Sequence, residues 1–112
     1  MPKKTDNYIL KNSTRKNKKY MLVTPDDKKV HFGAKNMDDF TLIKDRGDAS
    51  RRRLFYIDRH KTREQKYWAH TKANLVRPSY LSRYLLWQKP TLSQAIKFVE
   101  KNQNIKIVNN IK

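Results

Sequence analysis

The stretch RRRLFYIDRHKTRE, from Arg51 to Glu64, limits the fold more than any other part of the chain. It packs six Lys/Arg into fourteen positions around Leu54, Phe55, Tyr56 and Ile57. A buried segment does not tolerate those arginines, and a solvated charge run has no use for those apolar side chains. An amphipathic helix satisfies both. At about 100° per residue, Arg52, Arg59 and Arg63 fall within an arc of about 40°, with Tyr56 beside them and Leu54 and Ile57 turned to the opposite side. The expectation is a helix seated on a sheet through its apolar side, with an array of guanidinium groups facing outward. RLFYI also has strong β propensity, and a strand would split the arginines between two faces. The sequence leaves helix and strand open here.

The charge is distributed unevenly. Residues 1–19 carry +6, residues 20–48 carry −1, residues 49–89 carry +9 and residues 90–112 carry +3, for a formal net charge of +17 over 112 residues. A basic arm and a basic central block thus flank a near-neutral module, which is not the pattern of uniform solubilising charge. Such a balance opposes self-association and attracts polyanions: nucleic acid, an anionic membrane surface or acidic protein. No run approaches the eighteen apolar residues of a bilayer span, and MPKKTDNYIL has no signal-peptide core, so a soluble intracellular protein is expected. Cysteine is absent, which excludes disulfides and thiolate zinc sites.

Residues 1–18 read as a flexible basic N-terminal arm with one apolar knot, Tyr8-Ile9-Leu10, and residues 102–112 as a C-terminal tail that is either a short strand or frayed chain. Between them, residues 19–101 read as one small domain. KYMLVT and KKVHFG flank a turn with Pro25 at its second position and form a β-hairpin. DDFTLIKD (Asp38 to Asp45) alternates and is a candidate third strand, with Arg46-Gly47-Asp48 as a turn after it. Helical spacing then recurs in YLSRYLLWQ after Pro78. Thr91-Leu92-Ser93-Gln94 fits a capping box, and Leu92, Ala95, Ile96 and Val99 form a stripe down the helix that follows. The fold class expected is α+β: a hairpin or three-stranded antiparallel sheet packed with two to three helices.

Aromatic and basic residues interleave from Lys66 to Lys89. Trp87 is expected in the core, while Trp68 is as well suited to the surface as to the core. His60 and Glu64 are four residues apart on the proposed helix. His60 sits between Arg59 and Lys61, however, and metal binding there is disfavoured. With no glycine-rich phosphate loop, no Ser/His/Asp set and no cysteine nucleophile, no catalytic residue, metal or cofactor is expected, and the protein is not expected to be an enzyme.

Six stretches together resemble a family of small basic proteins of uncharacterised role encoded by nucleocytoplasmic large DNA viruses. They are KKY (Lys18–Tyr20), VHFG (Val30–Gly33), DDFT (Asp38–Thr41), IKD (Ile43–Asp45), YIDRHKTRE (Tyr56–Glu64) and SRYLLWQKPTL (Ser82–Leu92). The likeness spans roughly residues 18–97. Met37 and Leu42 depart from the family pattern of a small residue and a frequent His, so no role is carried to them. The resemblance implies a viral protein of the virion or of the virus factory in the host cytoplasm, and brings no catalytic residues.

The expected function is sequence-nonspecific binding of nucleic acid, DNA before RNA, to condense or coat a genome. Contacts are assigned to Arg52, Arg59, Arg63, Tyr56 and Arg83, and in the arm to Lys3, Lys4, Arg15, Lys16, Lys18 and Lys19. The alternative is a minor capsid or other structural interaction protein that uses the same arginines on acidic viral proteins and anchors through the Tyr8-Ile9-Leu10 knot. Oligomeric state is not readable from the sequence.

Overall fold

The computed structural model describes residues 7–112. Four strands, β1 (Asn7–Asn12), β2 (Lys18–Val23), β3 (Lys29–Ala34) and β4 (Lys106–Asn110), form one sheet in the order β3-β2-β1-β4. The pairs β1–β2 and β2–β3 are antiparallel, and β1–β4 is parallel. Three helices, α1 (Arg46–Glu64), α2 (Pro78–Leu81) and α3 (Leu92–Gln103), complete an α+β fold. A wider π turn, Ser82–Leu86, continues α2, and short 3-10 segments lie at Gln65–Tyr67 and Lys72–Val76.

The hairpin forms as its sequence indicates. Asp27 N–H donates to the Thr24 carbonyl at 2.9 Å, which places Pro25 at the second turn position. Beyond it, β2 and β3 pair with Tyr20 opposite Phe32 and Leu22 opposite Val30. Gly33 is required where β3 passes the helices. Its φ is +79°, and a Cβ there would lie 3.0 Å from Leu86 Cδ1.

Two segments set outside the domain by the sequence reading supply the rest of the sheet. From Asn7 the expected flexible arm is instead the inner strand β1. Leu10 is fully buried opposite Leu22, and Tyr8 lies opposite Ile107 of β4. The knot is too short to show a period, yet alternation alone turns Tyr8 and Leu10 to one face. The C-terminal segment resolves as a strand. Because β1 and β4 run parallel, nearly the whole chain forms the crossover between them.

One face of the sheet packs on α2, its π turn and α3. Leu10, Leu22, Phe32, Leu75, Tyr80, Leu81, Leu85 and Val99 are its largest fully buried apolar residues. Each such side chain contributes about 1.5–3 kcal/mol through removal from water. Thr91 caps α3 by accepting from Gln94 N–H at 3.2 Å, and Asn104 ends it in the left-handed conformation at φ 54°.

Two local readings are corrected. Asp38–Asp45 is a series of turns, not a third strand. The buried Asp39 carboxylate accepts from Thr41 N–H at 2.8 Å and pairs with Lys19 at 2.6 Å, and this side-chain turn outcompetes the alternation of Phe40 and Leu42. Arg46-Gly47-Asp48 is the first turn of α1 and not a separate turn, since Asp45 caps the helix by accepting from Asp48 N–H at 3.0 Å.

The position of β1 makes a direct prediction. Leu10→Ala should lower unfolding free energy in urea by about 2–5 kcal/mol. Leu54→Ala, on the outside of α1, should stay within about 0.5 kcal/mol.

Candidate polyanion-binding site

Helix α1 forms over the whole Arg51–Glu64 segment, which closes the choice between helix and strand. Of the two apolar residues expected to seat it, Ile57 lies on the inward side and Leu54 does not. Leu54 and Phe55 are 64% and 59% exposed. The inward stripe is Ala49, Arg53, Tyr56, Ile57 and His60, of which Ala49 is the fully buried member. Aromatic and guanidinium contacts, not an aliphatic seat, hold the helix. The Tyr56 ring stacks on Trp87 at 4.8 Å and 9° and meets His60 at 4.4 Å on the helix itself. Arg53 Nε donates to the Trp87 carbonyl at 2.7 Å. Arg46 donates to the carbonyls of Phe40 and Ile43 at 3.0 and 2.7 Å and lies over the Phe40 ring at 4.5 Å. A planar ring and a long arginine stem cover more apolar surface than Leu54 does, which is why they take the inward face.

The arginine ridge is present. Arg52, Arg59 and Arg63 are exposed along one side of α1, next to the inward stripe. Arg52 Nε lies 3.3 Å from Asp48, a carboxylate that also meets Arg51 at 3.1 Å. Arg59 and Arg63 have no ion-pair partner among the described residues. The ridge borders a cleft of about 850 Å³ between α1 and the β3 side of the sheet. Phe32, Leu86, Tyr56 and Trp87 give the cleft apolar and aromatic walls, and Lys18, Arg52 and Arg59 stand on its rim. Lys18 and the α1 arginines, far apart in sequence, therefore meet at one opening. Asp38, Asp48 and Glu64 also line it, so the positive charge is concentrated on the outer ridge.

The other expected contacts are placed differently. Tyr56 is not an open stacking platform, because both ring faces are taken. Burial first, and then the Glu64 charge, push its hydroxyl far above the usual phenol range, against the opposing pull of Arg83. Lys19 is committed to Asp39, with side chains 10% and 2% exposed, and is not free for a ligand. Arg15 and Lys16 are exposed on the β1–β2 turn, while Lys3 and Lys4 lie outside the described residues. Arg83 is half-buried, donates to Gln88 Oε1 at 2.6 Å, and does not join the ridge. Trp68 is buried, and Trp87 is half-buried against the core as the partner of Tyr56. The apolar knot proposed as an anchor is spent within β1, where Leu10 is fully buried.

His60 Nδ1 lies 2.6 Å from Glu64, so the spacing noted in the sequence becomes a pair on the helix. Among the described residues, no three His, Asp or Glu side chains gather as a metal site. No helix there is long and apolar enough to cross a membrane. Sequence reasoning missed Arg53 and Gln88. Arg53 looks like one more surface arginine until the inward face of α1 is known.

Residues 8–60 match a family of unknown function, DUF5754. The match runs from β1 through most of α1 and includes Arg52 and Arg59. No curated protein and no solved structure matches the chain.

The Tyr56–Trp87 stack should control how firmly α1 lies against the body. Tyr56→Ala is expected to cost about 2 kcal/mol, and to speed hydrogen exchange in α1 more than in β2. Equal acceleration in both elements would mean that α1 is held by other contacts.

Proposed function

We propose that the protein binds nucleic acid without sequence specificity, through the outer face of α1. Arg59 and Arg63 supply the main phosphate contacts, and Arg52, Lys18, Arg15 and Lys16 extend the field. The observation that carries this reading is the exposure of Arg59 and Arg63 on one helix side with no internal carboxylate among the described residues, in a chain of charge +17. Guanidinium groups free of internal counterions release ions from a phosphate backbone when they bind, and their fork geometry fits phosphate oxygens. Nothing in the arrangement reads base edges, so the reading is one of binding and coating, with no catalytic step. The setting proposed is the virion or virus factory of a large DNA virus, which rests on the sequence resemblance alone.

A second reading, a minor structural protein bound to acidic partners in a particle, is favoured by one observation. Leu54 and Phe55 are both well exposed on α1, between arginines, and Met37 is 61% exposed at the neighbouring cleft. Apolar groups among cations suit a protein partner better than a phosphate backbone.

Binding measured across salt tests the first reading. Six phosphate neutralisations give a log–log slope of about −5 on duplex DNA. Changing Arg52, Arg59 and Arg63 to Ala should weaken all sequences alike and flatten the slope by about 2–3. A flat salt dependence, or a triple variant of unchanged affinity, removes the ridge from the function. If particles stripped of genome keep the protein with the shell, the structural reading takes its place.

A further inference from the structure

Beneath α1 and away from the ridge, two arginines converge on one neutral group. Arg53 Nη2 donates to Gln88 Oε1 at 3.0 Å, and Arg83 Nη1 donates to the same oxygen at 2.6 Å. Apart from the Trp87 carbonyl that accepts from Arg53, neither guanidinium meets another acceptor among the described residues, and neither is paired with a carboxylate there. Arg83 Nε is buried with no hydrogen-bond partner, as is Nε1 of Trp68. The Arg83 guanidinium lies 5.3 Å from the Trp68 ring centre and 5.0 Å from that of Tyr84.

Amide and carbonyl oxygens satisfy hydrogen bonds without cancelling charge. Two like charges held at a single oxygen repel each other, and partial burial removes water that would screen them. Burial also lowers the proton affinity of both groups; for Arg83 the neighbouring Tyr84 opposes this, and the charge of Arg53 adds to the lowering against a smaller opposing effect of Tyr56. Latching α1 explains Arg53 Nε on the Trp87 carbonyl. It does not explain a second cation on Gln88, or an orphaned Arg83 Nε.

We propose that Arg53, Arg83 and Gln88 frame a binding site for a single phosphate group, separate from the outer ridge. A phosphate oxygen set accepts from two forks arriving from different directions, whereas a planar carboxylate is matched by one. Trp68 and Tyr84 form an aromatic wall that keeps Arg83 stacked and partly shielded from water, while Arg53 lies 5.8 Å from the Phe40 ring centre. The site goes beyond the nonspecific reading, because it needs no contact from Arg52, Arg59 or Arg63. The phosphate group comes either from a free phosphate or nucleotide, or from a nucleic-acid backbone.

The native chain carries its own reporters, since its two tryptophans are Trp68 and Trp87. Titrating the protein with inorganic phosphate at constant ionic strength should produce a saturable change in tryptophan emission and a rise in melting temperature. Arg83→Lys, which keeps the charge and loses the fork, should weaken phosphate by about ten- to a hundredfold, the worth of a charge-assisted hydrogen bond. Gln88→Glu places a carboxylate between the arginines. It should raise the melting temperature without phosphate and abolish the response to it. The Arg52, Arg59 and Arg63 triple alanine variant should keep the phosphate response, so this site and the ridge can fail independently. A response to a 5′-mononucleotide that Gln88→Glu removes assigns a terminal phosphate. The same loss with an oligonucleotide lacking terminal phosphates assigns the backbone. No saturable response in the folded wild type, an equal response to acetate, or undiminished phosphate affinity in folded Gln88→Glu overturns the proposal.

Discussion

The Tyr56 ring lying flat on Trp87 at 4.8 Å is the contact on which the functional architecture depends. Helix α1 has little aliphatic attachment to the body, and Ala49 is its one fully buried residue among those described. The stack, with Arg53 on the Trp87 carbonyl beside it, sets the angle at which nineteen helical residues leave the sheet. That angle places the ridge arginines at the edge of a cleft and sends Leu54 and Phe55 into solvent. The π turn at Ser82–Leu86 leads directly into Trp87, so the unusual turn and the latch are adjacent in the chain. A π turn widens the helix by one residue, and such turns often accompany functional sites.

Charge is handled in three ways within one small domain. Lys19 and Asp39 are paired and buried, and this pair organises the turns between β3 and α1. Asp48 is shared by Arg51 and Arg52 at the surface, where ion pairs contribute little to stability. Arg59 and Arg63 on the outside, and Arg53 with Arg83 inside, have no carboxylate among the described residues. Where a domain pairs some cations closely and leaves others unpaired on an ordered helix, the unpaired ones are the candidates for external anions. The two unpaired sets differ in kind. The outer set is solvated and suits a long polyanion. The inner set is preorganised by Gln88 and walled by rings, and suits one anionic group.

The parallel β1–β4 pair adds the fourth strand at one edge of the sheet and lays the first and last segments of the described chain side by side. Within the described part of the expected basic arm, Arg15 and Lys16 lie on the turn between β1 and β2, and Lys18 opens β2. This moves part of the N-terminal charge from a tail to a fixed position. Lys18 then shares the cleft rim with Arg52 and Arg59.

Local chemistry made several elements legible. Pro25 in its turn, Thr91 before α3, the apolar stripe of α3 and the arc shared by Arg52, Arg59 and Arg63 follow from rules that act over a few residues. The α+β class follows from them too. What needed tertiary structure was every choice between two locally acceptable outcomes. Tyr8-Ile9-Leu10 became a strand because Leu22 and Ile107 stand opposite, and those partners are remote in sequence. Asp39 turned an alternating segment into turns because Lys19 of β2 was within reach of its carboxylate. Helix periodicity located the ridge but could not say which neighbouring side was inward, since that depended on Trp87 offering a flat ring to Tyr56. The convergence of Arg53 and Arg83 on Gln88 is likewise invisible along the chain. A pattern of residue types specifies local conformation and the faces of an element, while the partner of each face is decided by packing between distant segments.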